Sequence, residues 1–126
     1  MDIFKEDFDM VIDDILTLPG KLLVIEGNQL MPSLVDPYIS HKHKAIWLIS
    51  SEELQTELYS KRTWIHSILK ETNNPVIAFK KWMKRDALFA DKILHETQEL
   101  NLTSIKFNHV RDLENKSNVL EHHYFI

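Results

Sequence analysis

The sequence predicts an α/β fold with a small, mainly parallel sheet of three strands and flanking helices. Short, continuous apolar runs recur along the chain, which is typical of strands that are covered on both faces. Amphipathic helical patterns alternate with these runs, and this alternation favours a parallel sheet with right-handed crossovers. The predicted strands are 22–26 (LLVIE), 45–50 (AIWLIS) and 104–108 (SIKFN).

Helical patterns precede the first strand and follow the second. Apolar residues recur at helical spacing over 3–16, so this segment is expected to form an amphipathic helix. Ser50 and Glu53 have the spacing of a capping box. A helix is therefore expected to begin at Ser51, with a break near Ser60.

The clearest element is a long helix over 75–100. Asn74 can cap its first turn, Pro75 suits its first position, and Asn101 can take the left-handed conformation that ends it. Its apolar residues form one stripe, and three lysines lie on the opposite face. This helix is expected to lead from the second strand to the third.

Composition excludes several classes of protein. The 126 residues are one domain's worth, and the absence of cysteine excludes disulfides and thiolate metal sites. A net charge of −4 does not suit a nucleic-acid binder. No apolar run reaches the length of about 18 residues that a membrane span needs, and the histidine pairs lack the spacing of a metal site. We expect one domain over 1–126, in the cytoplasm, without metal-ligating residues and with neither nucleic acid nor membrane as a partner.

Glu26 is the first candidate for a functional side chain, because it ends the first predicted strand. Ligands of open α/β sheets gather at the carboxyl ends of strands. A carboxylate there can hold Mg²⁺ through water or act as a base, and Gly27 lets a ligand approach the backbone. The alternative is that Glu26 begins a loop and faces solvent.

Asp86 and two arginines are the other candidates. Asp86 falls in the middle of the apolar stripe of the long helix, so it needs a partner or a wet cavity. A structural ion pair and a site carboxylate are both open. The guanidinium groups of Arg62 and Arg85 suit phosphate oxygens, whereas the lysine-rich face is expected to be solvated surface.

Several strings together resemble bacterial P-loop proteins related to uridine kinase and other small-molecule kinases. They are KLLVIEGNQLMPSLV, AIWLISSEELQ, Lys61-Arg62 and FKKWMKRDALFADKI, in that order, and the resemblance covers the chain from about Phe8 to Phe107. It implies a nucleoside-triphosphate-dependent phosphotransferase with a three-layer fold. ATP and Mg²⁺ would be its cofactors if the family activity is retained.

The same resemblance assigns roles to the candidate residues. Glu26 would lie at the acidic end of the strand beside the phosphate-binding loop. Arg62 and Arg85 match lid-region arginines that neutralise phosphate charge. The expected catalytic residues are Glu26, Arg62, Arg85 and Asp86, and the expected substrate-binding residues are Gly27 and Asn28.

The phosphate-binding segment of such kinases, a strand followed by G-x-x-x-x-G-K-[ST], has no counterpart in this sequence. A Pro-Gly-Lys string at 19–21 is followed by Leu22 rather than Ser or Thr. In these kinases the strand before that loop lies between the strands assigned here to 22–26 and 45–50, so its loss leaves an open sheet edge. The resemblance therefore implies an incomplete, truncated P-loop-kinase-like domain.

Three functions are compatible with these features. The expected one is a truncated or degenerate kinase-like domain that does not turn over ATP by itself, or whose phosphate loop is encoded upstream. The second is a binding or assembly module that forms a homodimer through the open sheet edge. The third is an enzyme that holds phosphate differently, with Arg62, Arg85 and Lys21.

Overall fold

The computed structural model describes residues 2–20, 23–27 and 30–125. It shows an α/β fold in which helices predominate and the strands form one small parallel sheet. Within these ranges, no helix combines the length and the apolar character that crossing a membrane requires. The α-helices and strands in chain order are α1 Asp2–Thr17, α2 Pro32–Val35, β1 Ile46–Ser50, α3 Glu52–Ser60, α4 Thr63–Leu69, α5 Pro75–Glu99, β2 Thr103–Phe107, α6 Val110–Glu114 and α7 Lys116–Phe125, and short 3-10 helices lie at Asp36–Tyr38 and Lys42–Lys44.

The sheet consists of β1 and β2, which run parallel. The register runs from Ile46 opposite Thr103 to Ser50 opposite Phe107. Parallel strands need a long connection, and α3, α4 and α5 supply it. The second and third predicted strands and their parallel direction are therefore confirmed.

The three-stranded sheet expected from the sequence is not confirmed, because the described part of the predicted strand 22–26 is not a strand. Residues 23–27 have no regular secondary structure, and no backbone hydrogen bond among the described residues joins them to β1 or β2. Leu23, Val24 and Ile25 are 47%, 85% and 41% exposed. An apolar run becomes a strand only where its N–H and C=O groups find a partner strand. The first residue of the predicted strand lies outside the described residues.

Side chains cap α3 and α5. The hydroxyl of Ser51 accepts a hydrogen bond of 3.2 Å from the N–H of Leu54, so α3 begins one residue later than expected. Asn74 accepts one of 3.3 Å from the N–H of Ile77 and caps α5 as predicted. Asn101, with φ of 55°, takes the expected left-handed conformation after α5.

The core lies where the crossover helices cover the sheet. α5 contacts both strands as well as α2, α3 and α4. α1 joins through aromatic pairs, Phe4 with Phe89 at 5.4 Å and Phe8 with Tyr38 at 5.6 Å between ring centroids. α7 reaches the start of the sheet, where Nε2 of His123 lies 3.0 Å from the carbonyl oxygen of the residue before β1. The buried apolar residues are Phe8, Met31, Ile49, Leu54, Ile65, Leu69, Met83, Leu102 and Phe107.

Candidate functional site

Asp86 is the most firmly anchored of the candidate side chains. It lies on α5, and its side chain is 24% exposed. Oδ1 accepts hydrogen bonds from Nε and Nη2 of Arg85 at 3.3 and 3.1 Å, and Oδ2 accepts one of 3.1 Å from Nε2 of Gln55 on α3. Both carboxylate oxygens are therefore satisfied, as the partial burial of a charge requires. Of the two expectations for Asp86, a partner or a wet cavity, the structure shows partners.

Arg85 presents its guanidinium group to solvent from this anchor. Its side chain is 74% exposed, and Asp86 binds it through Nε and Nη2. The remaining N–H groups can donate to an anion in the planar geometry that suits phosphate or carboxylate. An ion pair this exposed adds little stability. At this exposure the pair favours one direction of the guanidinium group without locking it.

A depression of about 430 Å³ lies between α3 and α5, close in sequence to this pair. Phe79 and Met83 form its apolar part, and Lys80, Lys84 and Glu52 supply charged groups. Both lysines are exposed, as the sequence predicts, and they also line this depression. Phe79 and Met83 are four residues apart, as are Lys80 and Lys84, so each of these pairs lies on one face of α5. This spacing could have indicated the depression from the sequence.

A smaller depression of about 170 Å³ lies at the carboxyl end of β1. Its lining includes Ser51, Lys106, Glu53 and Asp91. Ligands of open α/β folds bind at this end of the sheet, but Glu26, which was expected here, does not line it. In the part of the chain that the structure describes, no group of three or more His, Asp or Glu side chains is placed to hold a metal ion.

Arg62 lies in the connection between α3 and α4, at the predicted break in the helix. Its guanidinium carbon is 4.4 Å from the centroid of the Tyr59 ring, a cation–π contact on an exposed surface. Trp64 and Trp82 pack edge to face with their centroids 6.1 Å apart, which joins α4 to α5. No side-chain hydrogen bond or ion pair among the described residues links Arg62 to Asp86.

Glu26 and Gly27 lie in the exposed segment 23–27 instead of at the end of a strand. The carbonyl oxygen of Gly27 accepts a hydrogen bond of 3.3 Å from the N–H of Leu30, shortly before α2. Asn28 lies outside the described residues. The expected position of Glu26 at a strand end is therefore not confirmed, because the described residues 23–26 do not form a strand.

The structure joins two of the four predicted catalytic residues. Arg85 and Asp86 form one hydrogen-bonded unit on α5. Within the described ranges, no hydrogen bond or ion pair connects Glu26 or Arg62 to that unit. Gln55, which completes the unit from α3, was not among the predicted residues.

Comparisons of the chain with models of protein families, with curated proteins and with solved structures give no match. The likeness to small-molecule kinases therefore stays a prediction that rests on the sequence strings. Because a fold does not by itself imply a function, the residues of the site have to carry any functional proposal.

Proposed function

We propose that the chain is part of a kinase-like phosphotransferase domain and that these 126 residues do not turn over ATP by themselves. The observation that carries the proposal is the exposed guanidinium group of Arg85, which Asp86 anchors on the crossover between two parallel strands. A guanidinium group held in this way recognises phosphate oxygens through paired hydrogen bonds. Lys81, four residues before it on the same face of α5, adds positive charge.

Two unpaired segments support the kinase-like part of the proposal. Within the described structure, β1 pairs on one edge only, and the apolar run 23–25 is exposed. In the kinases that the chain resembles, a single strand lies between the strands that correspond to 22–26 and to β1. A single strand supplied by sequence encoded upstream would therefore cover both.

The catalytic limit, that these residues do not turn over ATP by themselves, follows from the lack of a phosphate-binding loop in this sequence. Phosphoryl transfer depends on holding the triphosphate and neutralising its charge, which backbone N–H groups and a lysine do in G-x-x-x-x-G-K-[ST]. The sequence contains no such string.

If upstream sequence supplies the loop, the domain would act in the cytoplasm with ATP and Mg²⁺ as cofactors. Arg62 and Arg85 would then neutralise phosphate charge. Glu26 would hold Mg²⁺ through water, and Gly27 and Asn28 would contact the substrate.

Calorimetric titration with Mg-ATP tests the catalytic limit. The purified 126-residue chain is expected to show no tight binding, because it has no loop to surround the phosphates. A dissociation constant below about 10 μM would contradict this limit.

Titration with inorganic tripolyphosphate tests the role of Arg85. We expect weak binding, and Arg85→Ala should lower the affinity about tenfold by removing the paired hydrogen bonds. The control is Lys5→Ala, which removes an exposed charge from α1. An equal loss in both variants, or no binding by the wild-type chain, would count against phosphate recognition by Arg85.

A second candidate is an assembly module that joins copies of the chain through the open edge of the sheet. The observation that favours it is the edge of β1 that faces away from β2, which has no backbone partner among the described residues. Unpaired strand edges readily pair with another chain. Light scattering from low to high micromolar concentration is expected to show a dimer, and a monomer throughout would contradict this candidate.

A further inference from the structure

The backbone of β1 shows which groups its open edge presents. The N–H of Ser51 donates a hydrogen bond of 2.8 Å to the carbonyl oxygen of Phe107 in β2. In a parallel pair, alternate residues direct their N–H and C=O groups to the same neighbour. Ile46, Leu48 and Ser50 therefore direct theirs away from β2, and no backbone hydrogen bond among the described residues reaches them.

The two outer edges of the sheet differ in how they are protected. By the same alternation, the outward backbone groups of β2 belong to Ser104 and Lys106, and Lys106 is exposed. An exposed lysine discourages edge-to-edge pairing, as do proline and bulges. β1 reads Ile-Trp-Leu-Ile-Ser, with no charge and no proline, and Leu48 on it is 38% exposed. The edge of β1 is therefore the one open to another strand.

The charges that flank β1 select the direction of that strand. Lys42 and Lys44 precede β1, Glu52 and Glu53 follow it, and all four are exposed. Nζ of Lys42 also donates a hydrogen bond to the carbonyl oxygen of Leu100. Nζ of Lys44 donates one of 3.2 Å to the hydroxyl of Ser40, so the acceptors of both lysines are uncharged. If two copies of β1 paired in parallel, like charges would meet at both ends, which is unfavourable. If they paired antiparallel, the lysines of one copy would lie beside the glutamates of the other, which favours association.

We propose that β1 is a self-pairing edge through which two copies of this chain form one continuous four-stranded sheet. The proposal rests on the assembly candidate above and names its partner and register. A two-fold axis at Leu48 pairs it with the partner's Leu48 and pairs Ile46 with the partner's Ser50. Each pair exchanges both of its backbone hydrogen bonds, so all the outward groups of β1 are satisfied.

Disulfide cross-linking tests the register, because the chain has no cysteine of its own. The two Leu48 Cα atoms of the dimer would lie about 5.5 Å apart, a separation that a disulfide spans. Leu48→Cys is therefore expected to give a covalent dimer under mild oxidation. Ile46→Cys is not, because antiparallel pairing separates the two copies of that residue by more than about 12 Å. Leu88→Cys, at an exposed position on α5, controls for random collision.

Leu48→Lys tests the same edge without covalent chemistry. In sedimentation equilibrium we expect a dimer for the wild-type chain and a dissociation constant raised at least about 100-fold by Leu48→Lys, since two lysines would meet at the axis. Leu88→Lys should leave the dimer unchanged. Circular dichroism of each variant checks that it is folded.

The possible results separate this proposal from the others. Equal cross-linking of Leu48→Cys and Ile46→Cys would overturn the antiparallel register. Such a result would leave the assembly candidate standing, because that candidate needs only the edge. A dimer that is insensitive to Leu48→Lys, or a monomeric wild-type chain, would overturn both. The tripolyphosphate titration tests Arg85 independently of all these results.

Discussion

Gln55 on α3 donates a hydrogen bond of 3.1 Å from Nε2 to Oδ2 of Asp86 on α5. This bond joins two helices of the crossover, and it leaves Oδ1 of Asp86 to Arg85. Asp86, which binds Arg85, is therefore itself bound by Gln55 from another helix. The stability of the α3–α5 contact and the direction of the exposed guanidinium group depend on the same carboxylate.

Asp86→Ala is expected to lower the free energy of unfolding by about 0.5–1.5 kcal/mol, because it removes the acceptor of the hydrogen bond from the half-buried Gln55. Urea unfolding of Asp86→Ala, Gln55→Ala and the double variant measures the effect. The double variant should lose at least about 0.5 kcal/mol less than the sum of the single ones. Asp91→Ala, at an exposed position on α5, is the control, and simple additivity of the first two changes would argue that the bond does not contribute.

Asn74→Ala is expected to cost about 1 kcal/mol of stability, since the N–H of Ile77 would lose the side-chain acceptor that caps α5. Asn74→Asp keeps a capping oxygen and should retain most of the stability. Thermal unfolding measures both, with Asn73→Ala as the neighbouring control. A melting temperature for Asn74→Ala equal to that of the wild-type chain would contradict the assigned cap.

Leu54→Ala is expected to destabilise the chain by about 2–5 kcal/mol, because its side chain is only 1% exposed and its removal leaves a cavity beneath α3. Leu88→Ala removes the same atoms from a side chain that is 61% exposed. Its effect should stay within about 0.5 kcal/mol. Similar losses in the two variants, measured by urea unfolding, would contradict the packing described here.

Partial burial raises the pKa of Tyr124, which is still 41% exposed, above its ordinary value of 10.0, so the folded chain holds the phenol proton slightly more tightly than the unfolded chain does. The resulting stabilisation is fully present below the unfolded-state pKa of about 10 and is lost as the pH rises through the higher folded-state pKa. The unfolding free energy of the wild-type chain should therefore fall more steeply above pH 10 than that of Tyr124→Phe. Below about pH 9 the two curves should run parallel, and the same slope for both at every pH would rule out this contribution.

The elements that the sequence predicted correctly depend on signals carried by neighbouring residues. Asn74 and Pro75 start α5 through local capping and backbone geometry. Asn101 ends it because asparagine tolerates a positive φ. β1 and β2 are apolar, and they pair in parallel through the crossover that connects them. The run at 22–26 carries an equally apolar signal, but a strand also needs a paired neighbour, and local sequence does not reveal whether one is present.

The same difference between local and long-range signals explains what could be predicted of the candidate site. Periodicity showed that Asp86 needs a partner, and Arg85, next to it in the chain, is one. The bond from Gln55 depends on how α3 packs against α5, which is a tertiary contact that no sequence spacing encodes. Only the resemblance led us to expect Glu26 in one site with Arg62 and Arg85, and no contact among the described residues joins Glu26 to either arginine.

The parallel pairing of Ile46 with Thr103 also has a consequence for synthesis of the protein. β1 leaves the ribosome before α3, α4 and α5 have been made, so the nascent chain carries an uncharged strand with both of its sides unmatched until β2 follows. Contacts between residues so distant in sequence form slowly, and unpaired strands are prone to aggregate during that interval. We expect the yield of folded protein to improve when translation is slowed by cooling or when chaperones are co-expressed.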